Sequence, residues 1–197
     1  MADIGLFDQL EYPEGLIPVT FREQVTEIHD FVKKMDFQRT LEIGLGAGGS
    51  AVYIMAATGK RHVSMDPYQK SFYGGVGLRN VKKMGFEHTL EHYEDYSCFV
   101  LPYLIRSGRR FDFIYVDGDH KFDSVAVDFY FSNSLLEQGG YVLLDDSWMP
   151  SVDTYAQFIK TNLGEVYEEC PKIYPGGTQF RKGERPDERK WDHYMNF

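Results

Sequence analysis

Apolar positions recur three and four apart over residues 21–35, where Phe21, Val25, Ile28, Val32 and Met35 share one helical face and Thr20 stands as N-cap. Residues 39–43 then read as a short buried strand, stopped by a glycine-rich turn at 44–49. A helix resumes over 50–58, and a second strand, 61–65, ends at Asp66. Residues 67–77, rich in glycine and aromatics, read as a loop, and Leu78, Val81 and Met84 mark a helix that Gly85 ends.

The alternation repeats toward the C-terminus. Residues 88–93 form a weak strand, 99–107 a helix, and 111–116 a strongly apolar strand running into Asp117. Phe122, Val125, Phe129 and Leu136 suit a long helix closed by Gly139 and Gly140, before a strand over 141–144 that ends at Asp145 and Asp146. Residues 153–163 read as helix, and 165–169 with 178–181 as an antiparallel pair around Pro175, Gly176 and Gly177. Strands alternating with helices specify an α/β fold: a doubly wound sheet of five parallel strands plus a C-terminal antiparallel pair, with helices on both faces. No linker divides the chain, so residues 1–197 read as one domain with a core at about 38–183.

Composition narrows the function classes. Thirty acidic residues against 21 basic ones leave a net charge of −9, which disfavours a phosphate backbone or an anionic membrane as partner. The basic residues Arg181, Lys182, Arg185, Arg189 and Lys190 have acids interleaved and read as a solvated tail. No apolar run is long enough to span a bilayer, and no cationic start precedes an apolar block, so a cytoplasmic setting is expected. Cys98 and Cys170 have neither metal-ligand spacing nor a disulfide framework.

Gly44, Gly46 and Gly49 fit G-x-G-x-x-G between a strand and a helix, and Asp66 ends the following strand 22 residues after Gly44. In a doubly wound sheet that is a nucleotide site: bare backbone approaches the ligand and the acid binds ribose hydroxyls. Glu42, Gly44, Gly46 and Gly48 also fit the E-x-G-x-G-x-G of class I S-adenosylmethionine-dependent methyltransferases, with Ser50 opening the helix behind. An acid there is tolerable beside a sulfonium cation and awkward beside a diphosphate, which favours the methyl donor over a dinucleotide.

Ligands of open α/β sheets sit beyond the carboxyl ends of the strands. Those ends carry Asp117, Asp119 and His120, and Asp145 with Asp146. Converging carboxylates repel one another unless a cation or proton intervenes, and oxygen ligands without cysteine suggest Mg2+. Residues 111–120, the long helix, and residues 139–146 together resemble the small bacterial branch of Rossmann-like class I methyltransferases related to macrocin-type and, more distantly, catechol-type O-methyltransferases. The resemblance covers about 38–160. It implies a divalent metal on Asp117, Asp145 and Asp146, a substrate diol on that metal, and His120 as the base, with Lys121 a weaker candidate. It also implies cofactor contacts from Glu94, Asp95, Tyr96 and Ser97, and Asp117 beside the reacting centre.

The expected function is therefore Mg-dependent O-methylation of a small hydroxylated molecule such as a sugar, phenol or secondary metabolite. Two alternatives stand beside it: a nucleotide-binding oxidoreductase on the same fold, and a non-catalytic partner that binds the cofactor. The first lacks a Tyr-x-x-x-Lys in the expected helix and the length for a substrate domain. Tyr68, Phe72 and Tyr73 in the 67–77 loop are candidates for a lid. Trp191, Tyr194 and Phe197 in the tail leave open docking on the domain or on a second subunit, as in a homodimer.

Overall fold

The computed structural model describes residues 5–13, 15 and 21–197. The Thr20 cap lies outside the described residues; the first helix, α1 (Arg22–Met35), starts instead from Phe21, whose amide is answered by the Gln24 side chain.

Strands β1 (Thr40–Ile43), β2 (His62–Met65), β3 (Leu90–Tyr93), β4 (Phe111–Val116) and β5 (Leu136–Leu144) are mutually parallel where they pair. Strands β6 (Tyr167–Cys170) and β7 (Thr178–Lys182) join antiparallel, giving the order β3-β2-β1-β4-β5-β7-β6. The expected five-plus-two sheet is observed. The order reverses at β1 and β4, so the crevice of a doubly wound sheet opens over their C-terminal ends. β3 is an edge strand of half-buried residues, which explains its weak apolar pattern.

Helices α2 (Gly49–Thr58), α3 (Val76–Lys83), α4 (Ser97–Arg106), α5 (Phe122–Leu135) and α6 (Pro150–Asn162) complete the layers. Successive residues of a strand point to opposite faces. Ile114 and Val116 accordingly join Leu101, Phe129 and Ile159 of α4–α6, while Phe113 and Tyr115 meet Ile28, Val32 and Ile54 of α1 and α2. Each such buried side chain contributes about 1.5–3 kcal/mol of transfer free energy.

Gly139 and Gly140 do not close the helix. α5 ends at Leu135, and both glycines lie inside β5 at an irregularity in its pairing with β4. Gly139 has φ +79°, and a Cβ on Gly140 would come within 3.0 Å of the Asp112 and Glu137 carbonyls, so bare backbone is needed there. The basic tail residues are dispersed: Arg189 pairs with Asp187, and Lys182 donates to the Asn133 and Leu136 carbonyls. In the tail, Phe197 packs on Phe158, and Asn162 bonds both the amide and the carbonyl of Met195.

Candidate active site

The first wall of the crevice is the turn after β1. Gly44, Gly46 and Gly48 all have positive φ, +92°, +52° and +79°. A Cβ at Gly44 would lie 2.0 Å from the Asp117 carbonyl oxygen, so the turn must be bare where β1 meets β4. At Gly46 the nearest atoms to an added Cβ belong to the Tyr73 ring, 3.9 Å away.

Side chains beneath and beside the turn hold its shape. Glu42 is fully buried; Ser50 donates to one of its oxygens, and the His62 ring lies 3.4 Å from the other. Glu42 and Ser50 thus brace the turn from within the sheet layer. Asp66 is also buried, accepting from the amides of Leu45 (3.2 Å), Gly46 (2.8 Å) and Tyr68 (2.8 Å) and from Gln69 Nε2 (3.0 Å). Gln69 Nε2 also donates to the Gly46 carbonyl at 2.8 Å. The 67–77 loop is thereby fastened to the turn, and Gly77 packs so closely that an added Cβ would meet the Gly46 carbonyl at 2.4 Å. Gln69 had no signal in the sequence pattern, because its role depends on a loop closing back over an earlier turn.

Just after β3, Glu94 pairs with Lys70, and the Asp95 carboxylate accepts from the Tyr96 amide. Ser97 opens α4 and hydrogen-bonds Asp128 of α5, a buried carboxylate that sequence reading passed over.

The second wall follows β4 and β5. His120 Nε2 lies 3.6 Å from Asp117 Oδ1 and 3.2 Å from Asp146 Oδ2. Among the described residues, Asp117, His120 and Asp146 form the one group of acidic, histidine or cysteine ligands close enough to share a metal ion. Asp117 is pushed well above the usual carboxylate range by burial and then by the charge of Asp145. His120 is raised by the Asp117 carboxylate first and by Asp146 and Asp145 after it, against the opposing effect of burial. Lys121, by contrast, is turned to Asp119 in an exposed pair.

The structure places Asp145 outside that trio. Its carboxylate accepts from Tyr115 Oη (2.5 Å), Tyr174 Oη (2.8 Å), Gln24 Nε2 (2.8 Å) and the Asp146 amide (2.7 Å). A carboxylate has about four acceptor positions, and all four are taken. Consecutive residues at a strand end face opposite ways, so only one of the two acids can look into the crevice with Asp117. Asp146 does so with φ +48°, and the exposed Trp148 donates its indole N–H to it at 2.8 Å.

A family model described as a methyltransferase domain matches residues 41–147, more than half of the chain. An uncharacterized protein of Acanthamoeba polyphaga mimivirus is 25% identical over 153 residues, covering 70% of this chain and 68% of that one. Among solved structures, the O-methyltransferase TomG of Streptomyces achromogenes, involved in tomaymycin synthesis and seen with SAM, superposes with a TM-score of 0.68. It is 21% identical, with 84% of this chain and 82% of that one covered. An O-methyltransferase from Bacillus cereus, in complex with SAH, gives a TM-score of 0.64 at 19% identity over 86% and 82% of the two chains. No helix among the described residues is long and apolar enough to cross a membrane.

Proposed function

The chain belongs to the methyltransferase-domain family, and from that premise we propose that it transfers a methyl group from S-adenosylmethionine to a hydroxyl of a small molecule, assisted by Mg2+. The observation that carries the reading is the Asp117–His120–Asp146 trio facing the crevice across from a bare glycine turn. The family match sets aside the oxidoreductase alternative.

The residues fit both groups. The turn is free of side chains at Gly44, Gly46 and Gly48, and its surroundings, Asp66 and Asp117 with Glu42 behind, suit a cationic ligand rather than a diphosphate. Two carboxylates are oxygen donors suited to a hard divalent cation, and Asp117 and Asp146 would hold it, leaving the His120 imidazole free beside it. Bound in the crevice, S-adenosylmethionine supplies an electrophilic methyl carbon, and the cation supplies Lewis acidity that acidifies a hydroxyl.

The chain's own part is geometry and proton handling. His120 Nε2, 3.6 Å from Asp117 and 3.2 Å from Asp146, takes the hydroxyl proton. Asp145 orients Asp146 through the hydrogen bonds that fix their shared backbone, so it acts as a positioning residue in this scheme. The resemblance to sugar- and catechol-type enzymes, with the exposed Trp148 beside Asp146, favours a ring-bearing diol as substrate.

Calorimetric titration of S-adenosylhomocysteine, with Mg2+ and then with chelator, tests the reading. Micromolar binding is expected, with a heat of Mg2+ binding that Asp146→Asn removes. Absence of cofactor binding under both conditions would overturn it.

A further inference from the structure

The Tyr73 side chain reaches the glycine turn from outside it, beside those of Asp66 and Gln69. Tyr73 lies on the 67–77 loop, which Gln69 fastens to Asp66 and to the Gly46 carbonyl. Its backbone is set by hydrogen bonds from the Tyr73 N–H to the Tyr68 carbonyl (3.0 Å) and from the Val76 N–H to the Tyr73 carbonyl (3.1 Å). The ring is backed edge-on by the exposed Phe72, with centroids 5.1 Å apart. Its Cζ and Oη come within 3.9 Å of where a Gly46 side chain would start, so the phenol end, not the ring edge, faces the turn.

Three features make this phenol more than packing. It is half-buried, yet among the described residues its Oη has no hydrogen-bond partner. Its phenol end faces Gly46, whose amide is bonded to Asp66 at the end of β2, and the charges of both Asp66 and Asp117, at the end of β4, reach it. Its burial first, and those carboxylates after it, also keep it protonated, so it offers a neutral oxygen with free lone pairs.

From this geometry we propose that Tyr73 is the residue that recognises the sulfonium end of the methyl donor, its phenol oxygen lying against the positive sulfur centre. The assignment rests on the S-adenosylmethionine reading above. A methyl group in transit from the turn to an oxygen held near Asp117 and Asp146 must cross the space that Tyr73 borders. The donor carries a positive charge at sulfur and the demethylated product does not. An oxygen dipole beside that centre therefore favours the donor over the product, in addition to the cation–π attraction of the ring, which Tyr73→Phe retains. A neutral phenol achieves this without adding a further anion to a crevice that already holds Asp66, Asp117 and Asp146.

The test is a comparison of S-adenosylmethionine and S-adenosylhomocysteine binding to wild type and Tyr73→Phe by calorimetry, with thermal melts as a control for folding. Tyr73→Phe keeps the ring and its contact with Phe72. The expected result is a five- to tenfold weaker Kd for the donor and a change of less than twofold for the product, at unchanged melting temperature. Equal weakening of both ligands would make the residue purely structural, and no change in either would remove it from the site; each overturns the assignment. A wild-type protein that binds neither ligand would instead refute the cofactor reading, and this assignment with it.

Discussion

Asp128 offers a quantitative check on the packing around the site. It lies on α5 with 3% of its surface exposed, receives a hydrogen bond from Ser97, and has one oxygen, Oδ1, with no partner. Burial, helped by the negative charge of Asp119, raises its carboxyl from 3.8 to about 6. At 1.36 kcal/mol per pH unit, that rise corresponds to roughly 3 kcal/mol of destabilisation once the group is ionised. The sign follows from which state ionises first. Below about pH 3 the carboxyl is protonated in both folded and unfolded chains and costs nothing. As pH rises, the unfolded chain ionises first and stability falls, until the folded group also ionises and the penalty levels off above about pH 7. Asp128→Asn keeps the shape and the Ser97 contact but cannot ionise. The stability of Asp128→Asn relative to wild type should therefore rise by about 2.4 kcal/mol between pH 4 and pH 7.5. Urea unfolding followed by circular dichroism at five pH values measures this, and other titrating groups cancel in the difference. A difference flat to within about 0.5 kcal/mol across that range would show that Asp128 is not held in a desolvating site, since burial of its charge is what makes the substitution pH-dependent.

Other substitutions probe the walls of the crevice. Gly44→Ala places a Cβ 2.0 Å from the Asp117 carbonyl at φ +92°, and should cost at least about 2 kcal/mol in chemical denaturation and abolish S-adenosylhomocysteine binding. Tyr174→Phe removes one of four donors from the buried Asp145 carboxylate, and should cost about 1–3 kcal/mol in the same assay. Asp145→Asn should weaken Mg2+ binding only modestly by calorimetry while Asp146→Asn abolishes it, since Asp146 belongs to the trio and Asp145 does not. The reverse order would return Asp145 to the ligand set.

Much of this protein can be read along the chain, because the signals are local. The strand over 111–116 and the helix over 21–35 announce themselves by period, and strand–helix alternation leaves few topologies for a parallel sheet. The glycines at 44, 46 and 48 and the acids at the ends of β4 and β5 were legible because sheet geometry brings strand ends to one edge whatever the loops do.

What the tertiary structure decided is which of two neighbours faces inward and what lies across the crevice from it. Asp145 and Asp146 are equivalent in sequence; only the arrival of Gln24 from α1 and Tyr174 from the β6–β7 connection, with Tyr115 of β4, commits Asp145 to the interior. Gly139 and Gly140 carry the same conformational freedom at a helix end or in a strand irregularity, and the pairing of β5 with β4 selects the second. Gln69, Tyr73 and Asp128 have no periodic signature, since each owes its role to a partner distant in sequence or on another element. Local periodicity reports which face of an element is apolar. Long-range hydrogen bonds and close backbone contacts exist only after the elements have packed, and here they settle which polar side chains reach the site.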